Sequence, residues 1–141
     1  MEKAKQFEDL IIWQEARELC KKVYVLTSEP PFSHDTRFVQ QIRASAGFIM
    51  DNIAEGFERT GNKELINFLF IAKGSCGEVR SQIIRALDAG HIDTESATDL
   101  YHNCKRISAL IMNMIKEIRN SGLKGAKYSP QDKTSFEPLN P

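Results

Sequence analysis

From Gln41 to Phe57 twelve of seventeen residues are apolar or small, which leaves almost no water-loving side. At about 100° per residue, Ile42, Ala46, Ile49 and Ile53 stack into one stripe, which predicts a helix from Arg37 to Phe57. The side opposite that stripe carries Ala44, Gly47, Asp51 and Ala54 rather than the Lys and Glu of an ordinary surface helix. A helix that is apolar or small all round is buried on more than one face. In a chain of 141 residues, the second face is expected to meet another subunit.

Three further helices follow from the same periodicity. Trp13, Ala16, Leu19 or Cys20, Val23 and Leu26 mark a first helix from Asp9 to Thr27, stopped by Pro30 and Pro31. Leu65, Leu69, Ala72, Cys76, Val79, Ile83 and Ala86 mark a third helix from Lys63 to Ala89. Thr60 or Asn62 is expected to cap it and Gly90 to end it. Ala97, Leu100, Cys104, Ile107, Ile111, Met114 and Ile118 mark a fourth, capped by Asp93 or Thr94 and reaching Asn120. Glu95 in its first turn and Lys116 and Arg119 towards its C-terminal end suit the helix dipole.

The alternating four-three spacing belongs to helices that pack about 20° from antiparallel. Short connections then give an all-α, up-down-up-down antiparallel four-helix bundle over residues 1–120. Residues 121–141, rich in Gly, Lys, Ser and Pro, read as a flexible C-terminal tail. The third helix repeats the oddity of the second. Gly74 and Gly77 fall inside it beside Ser75 and Ser81, while Ile66, Phe70, Ile71 and Ile84 lie off its stripe. Two compatible readings follow: close packing of the second and third helices within a subunit, and contact of these surplus faces with further copies.

Composition narrows the function. Nineteen basic residues balance nineteen acidic ones, so bulk charge does not mark a nucleic-acid binder, although a local patch is compatible with neutrality. Cys20, Cys76 and Cys104 are widely spaced and sit on apolar stripes. They read as small hydrophobes in a reduced compartment, and His34, His91 and His102 make no ligand spacing with them. No metal or cofactor is expected. No apolar run reaches the roughly 18–20 residues of a membrane span, and the polar N-terminus has no signal-peptide core, so a soluble cytoplasmic protein is expected.

Phe7-Glu8-Asp9-Leu10, Trp13-Gln14, Ala16, Gln41-Ile42-Arg43 and Asn52-Ile53-Ala54-Glu55-Gly56-Phe57 carry a resemblance, extended by Phe68-Leu69, Ile71-Ala72, Gly74-Ser75 and Glu78. In these ordered motifs the chain resembles the four-helix-bundle family named for reading frames inside intervening sequences of bacterial 23S ribosomal RNA genes. The resemblance implies an all-helical subunit and a homopentameric ring. It also implies kinship with the pentameric accessory protein of diversity-generating retroelements, which partners a reverse transcriptase and binds nucleic acid. The chain departs from the family pattern in having Ala44 for a second Arg, and Phe48-Ile49-Met50 where a Ser-Ile-Pro run is common. Without that proline the second helix is expected to be regular.

Candidate chemistry is sparse. There is no phosphate-binding Gly-rich loop and no local nucleophile signature. Arg43, Asn52, Glu55 and Glu78 are expected to form a structural polar cluster among apolar neighbours, since buried charges need partners. The alternative, general acid–base work by Glu55 or Glu78, would need pKa values split by their surroundings. Lys73 and Arg80 lie two turns apart on the flank of the third helix, with Arg59 and Lys63 at its start. Repeated around a ring, these four would attract phosphate backbones of RNA or DNA without reading sequence. The competing readings are a nucleic-acid-associated oligomer and an oligomeric scaffold or adaptor for another protein, such as a reverse transcriptase.

Overall fold

The computed structural model describes residues 4–121, and the expected tail lies outside them from residue 122 onward. Four helices account for most of the described chain: α1 (Ile11–Thr27), α2 (Thr36–Glu58), α3 (Asn62–Asp88) and α4 (Thr94–Asn120). Short 3-10 turns at Phe7–Asp9 and Phe32–His34 precede α1 and α2, and no strand occurs among the described residues. Each helix packs on its chain neighbours and α1 closes against α4, which completes the four-helix bundle. No described helix is long and apolar enough to cross a membrane.

The predicted stripes are the core. Ile42, Ala46, Ile49 and Ile53 of α2 are buried, as are all seven stripe residues of α3 and all seven of α4. α2 runs unbroken through Phe48-Ile49-Met50, as the missing proline led one to expect. On α1, Leu19 is the buried residue and Cys20 is half-buried.

Helix boundaries follow local chemistry, with two corrections. Asp9 ends a 3-10 turn rather than opening α1, because extended Leu10, fully enclosed in the core, pins the chain before the helix begins. Neither Thr60 nor Asn62 caps α3. The reversal between α2 and α3 is so tight that it needs a left-handed residue, and Gly61 at φ 91° takes the cap position without a side chain. At the other end of α3, Gly90 adopts φ 75°, its N–H donating to the Leu87 carbonyl and that of His91 to the Ala86 carbonyl. This is a Schellman stop. Asp93 caps α4 by accepting from the Ser96 N–H at 2.7 Å.

The α1–α2 and α3–α4 connections meet at one end of the bundle. His91 Nε2 donates to Asp35 Oδ2 at 2.9 Å, and its ring stacks on Phe32 with centroids 4.9 Å apart. Asp35 also caps α2 by accepting from the Phe38 N–H. Its carboxyl is held below the usual range chiefly by the His91 hydrogen bond, with help from the Phe38 N–H and the nearby Arg85 charge and against some desolvation. A lowered carboxylate pKa stabilises the fold above the unfolded value of about 3.9, and that contribution is lost as pH falls through the folded value. The stability gap between the native protein and Asp35→Leu should therefore be widest above about pH 5 and shrink in acid. Chemical denaturation of both proteins across that range measures the gap.

Candidate assembly and binding surfaces

Three surfaces of the bundle differ in kind. The outer face shared by α2 and α3 sets exposed apolar and small residues among polar ones, Glu55 and Glu78 included, with Arg85 donating to Gln41 across it at 3.3 Å. Phe48 and Ile71 are 53% and 52% exposed, as Val25, Ile84 and Tyr24 are to a similar degree on other faces. The Ser45–Gln82 and Gly56–Phe68 approaches fix the antiparallel register of these helices, so Phe48 is level with the stretch of α3 around Gly77 and Glu78, and Ile71 lies about 10 Å further along. Ala44 and Gly47 continue the small surface on α2. A Cβ built at Gly47, Gly74 or Gly77 meets nothing within 4 Å. α2 and α3 do pack closely, as expected, but these glycines do not serve that packing. The close approach of α2 to α3 is made instead at Gly56, where a Cβ would stand 2.7 Å from the Phe68 Cβ.

The expected polar cluster is not one cluster. Arg43 and Asn52 are nine residues apart, which on a helix turns them to opposite sides. Arg43 reaches α1, donating from Nε to Thr27 Oγ1 at 2.8 Å and from Nη2 to Ser28 Oγ, with its guanidinium 4.3 Å from the Tyr24 ring centroid. There it meets the C-terminal end of α1, where a cation is favoured. Asn52 donates to its own helix at the Phe48 carbonyl, and Glu55 pairs with Arg59 at 2.9 Å. Glu55 and Glu78 are exposed rather than deeply set. Glu78→Ala should accordingly change the unfolding free energy of the dissociated subunit by no more than about 0.5 kcal/mol, as denaturant titration would show.

The polar groups that are buried are others: Thr27, Ser45, Asn62, Ser75 and Gln82. Gln82 donates to Ser45 Oγ at 3.0 Å across the α2–α3 interface. Spacing alone did not reveal this pair, because the residues are 37 positions apart and neither belongs to a charged motif.

Nor do the four cations expected to hold nucleic acid gather in one place. Arg59 lies between Glu55 and Glu64, at 2.9 and 3.8 Å, and over the Phe68 ring. Lys63 is exposed near it at the start of α3. Lys73 and Arg80 lie ten or more residues further along α3, some 15 Å or more away by helix rise. Arg80 sits over the Tyr101 ring of α4 at 5.3 Å. Lys73 and Arg80 thus belong to a third surface, the seam between α3 and α4, where Arg119 also sits over Phe70 at 5.4 Å and Lys105 over Tyr101 at 5.9 Å. The α1–α4 seam, by contrast, pairs its charges: Lys22 with Asp99 at 3.0 Å and Arg106 with Glu15 at 3.2 Å.

Catalytic groups are poorly placed. His91 spends Nε2 on Asp35, and its Nδ1 is enclosed without a partner among the described residues. Burial pushes the thiols up, Cys20 to about 11 and Cys76 and Cys104 to about 12, so none is a ready nucleophile. Among the described residues no group of three or more His, Cys, Asp or Glu could hold a metal ion.

An all-helical bundle with exposed apolar side chains on its outer surface, and without an evident catalytic constellation among its described residues, defines the class. The chain belongs to the 23S rRNA-intervening sequence protein family, whose model matches residues 8–113. In fold it is similar to a protein of unknown function from the S23 ribosomal protein family of Bacteroides thetaiotaomicron VPI-5482, solved at 1.70 Å resolution. The two share 20% identity at a TM-score of 0.70, over 77% of this chain and 98% of that one. No curated protein matches the sequence.

Proposed function

We propose that the chain is a non-enzymatic helical-bundle protein that works as a homo-oligomer, a pentameric ring as its family resemblance implies, and binds RNA or DNA through cations repeated around the ring. The observation that carries the reading is the α2–α3 outer face. Phe48 and Ile71 stand half in water beside Ala44, Gly47 and Gly74, whose small side chains would let another helix approach closely. Exposed apolar surface rimmed by polar residues marks an interaction site. Gly47 and Gly74 each cost a helix roughly 1 kcal/mol against Ala and pack against nothing inside the subunit, which supports a contact outside it.

A ring turns a neutral subunit into a multivalent one, because each cation recurs at every copy. Several weak phosphate contacts then act together. Light scattering on the Phe48→Glu, Ile71→Glu protein tests the assembly half of the reading, with circular dichroism confirming that the helices persist. A native protein that is oligomeric, joined to a variant that is helical and monomeric, is the expected outcome. The scaffold or adaptor reading takes over if the native oligomer forms but shows no affinity for nucleic acid at about 50 mM salt, where phosphate contacts are strong.

A further inference from the structure

Over most of its length the α3–α4 seam carries charge of one sign, with Asp88 at the end of α3 as the first carboxylate on the Phe70 face. On the flank of α3 that faces α4, between Ile66 and Leu87, the charged residues are Lys73 and Arg80. On the flank of α4 that faces α3, between Thr98 and Arg119, they are Lys105, Lys116 and Arg119. Carboxylates are missing from both flanks over those stretches, although the chain as a whole has as many acids as bases. The Arg80–Tyr101 and Arg119–Phe70 contacts show that the two flanks form one surface. Among the described residues none of the five cations is held in a salt bridge, whereas the neighbouring α1–α4 seam is laced with them.

Like charges in a row repel, and a surface that keeps five of them without compensation is less stable than one with mixed signs. The row is also long. Arg119 and Lys105 are fourteen residues apart on α4, about 21 Å by helix rise. Compact anions such as inorganic phosphate would meet one or two of these groups at a time. A chain of phosphates would meet all five.

We infer that the α3–α4 seam is the binding track for a single-stranded nucleic acid, whose phosphates lie along Lys73, Arg80, Lys105, Lys116 and Arg119. This inference rests on the nucleic-acid reading above and gives it a location. Lys105, Lys116 and Arg119 enter as binding residues, while Arg59, already neutralised by Glu55 and Glu64, drops out. The aromatic rings favour a single strand over a duplex. Tyr101 and Phe70 lie along the same track beneath their guanidinium partners, and unpaired bases stack on such rings and on Arg planes, which a closed duplex does not allow. Binding is indifferent to sequence, because the seam offers charge and ring faces but few groups that read base edges.

The test uses the full chain with a fluorescent oligo-uridine and a mixed-sequence duplex of the same length, titrated over a range of salt. Native protein is expected to bind the single strand with log affinity falling by about 0.7 for each phosphate neutralised, and the duplex more weakly. Lys105→Glu with Lys116→Glu should weaken single-strand binding at least tenfold and flatten the salt slope by about 1.4. Lys21→Glu with Arg37→Glu makes the same charge change off the seam and should leave affinity within a factor of about three. Equal losses in both variants would reduce the effect to bulk charge and overturn the track. Unchanged binding in the seam variant would place the nucleic acid elsewhere on the protein and overturn it too. Tighter binding of duplex than of single strand would overturn the choice of partner. No binding by native protein would instead end the nucleic-acid reading itself.

Discussion

Adding a single methyl group at Gly56 is expected to cost the subunit about 1–3 kcal/mol, the usual range for overpacking a filled core. The alanine Cβ would stand 2.7 Å from the Phe68 Cβ and 3.3 Å from Leu65 Cδ1. Phe68 Cβ is fixed to the α3 backbone, so relief requires the two helices to move apart rather than one side chain to turn. That movement would loosen the buried Ser45–Gln82 bond and the packing around it. The same change at Gly74 should act in the opposite direction on a dissociated subunit. A Cβ there meets nothing, and alanine gains up to about 1 kcal/mol of helix propensity over glycine. Thermal or denaturant unfolding of the two variants, on the Phe48→Glu, Ile71→Glu background that keeps subunits apart, measures both effects. A Gly56→Ala protein as stable as its parent would show that the α2–α3 approach is looser than described.

The second large effect concerns assembly. Phe48 and Ile71 are about half exposed, so glutamates at these positions disturb little within the subunit. In an interface each would be an unpaired charge taken out of water. Penalties of about 3–5 kcal/mol accompany a lone buried charge, enough to raise a dissociation constant more than a hundredfold at every contact of the ring. Gly74→Leu probes the same contact by bulk rather than charge. It leaves the subunit fold intact, since the space beside Gly74 is open, and should block close approach of another copy.

The helical framework was legible because periodicity reports directly on which side of a helix is buried. Every stripe residue assigned to α3, from Leu65 to Ala86, is in the core, and Gly90 and Asp93 mark their boundaries through backbone chemistry that a sequence displays. Contacts between helices were harder to see. Arg43 was expected beside Glu55 or Glu78, yet it turns to Thr27 on α1, because periodicity gives the face of a residue and not the neighbour that the face meets. Glycines were ambiguous for the same reason. Gly56 and Gly74 look alike in sequence, but one lies against Phe68 and the other faces outward. The seam of cations was half visible. Lys73 and Arg80 stood out on one helix, while Lys105, Lys116 and Arg119 joined them only once α3 and α4 lay side by side.

Assembly through the α2–α3 face is the central claim, and the mass of the native particle in solution tests it most directly. Multi-angle light scattering at micromolar concentration should return several times the 16.0 kDa of one chain, and five times that value for the ring. The Phe48→Glu, Ile71→Glu protein, run beside it, should return the mass of one chain with its helicity unchanged. A native protein that elutes at 16.0 kDa under the same conditions would contradict the account. So would a double variant that stays oligomeric.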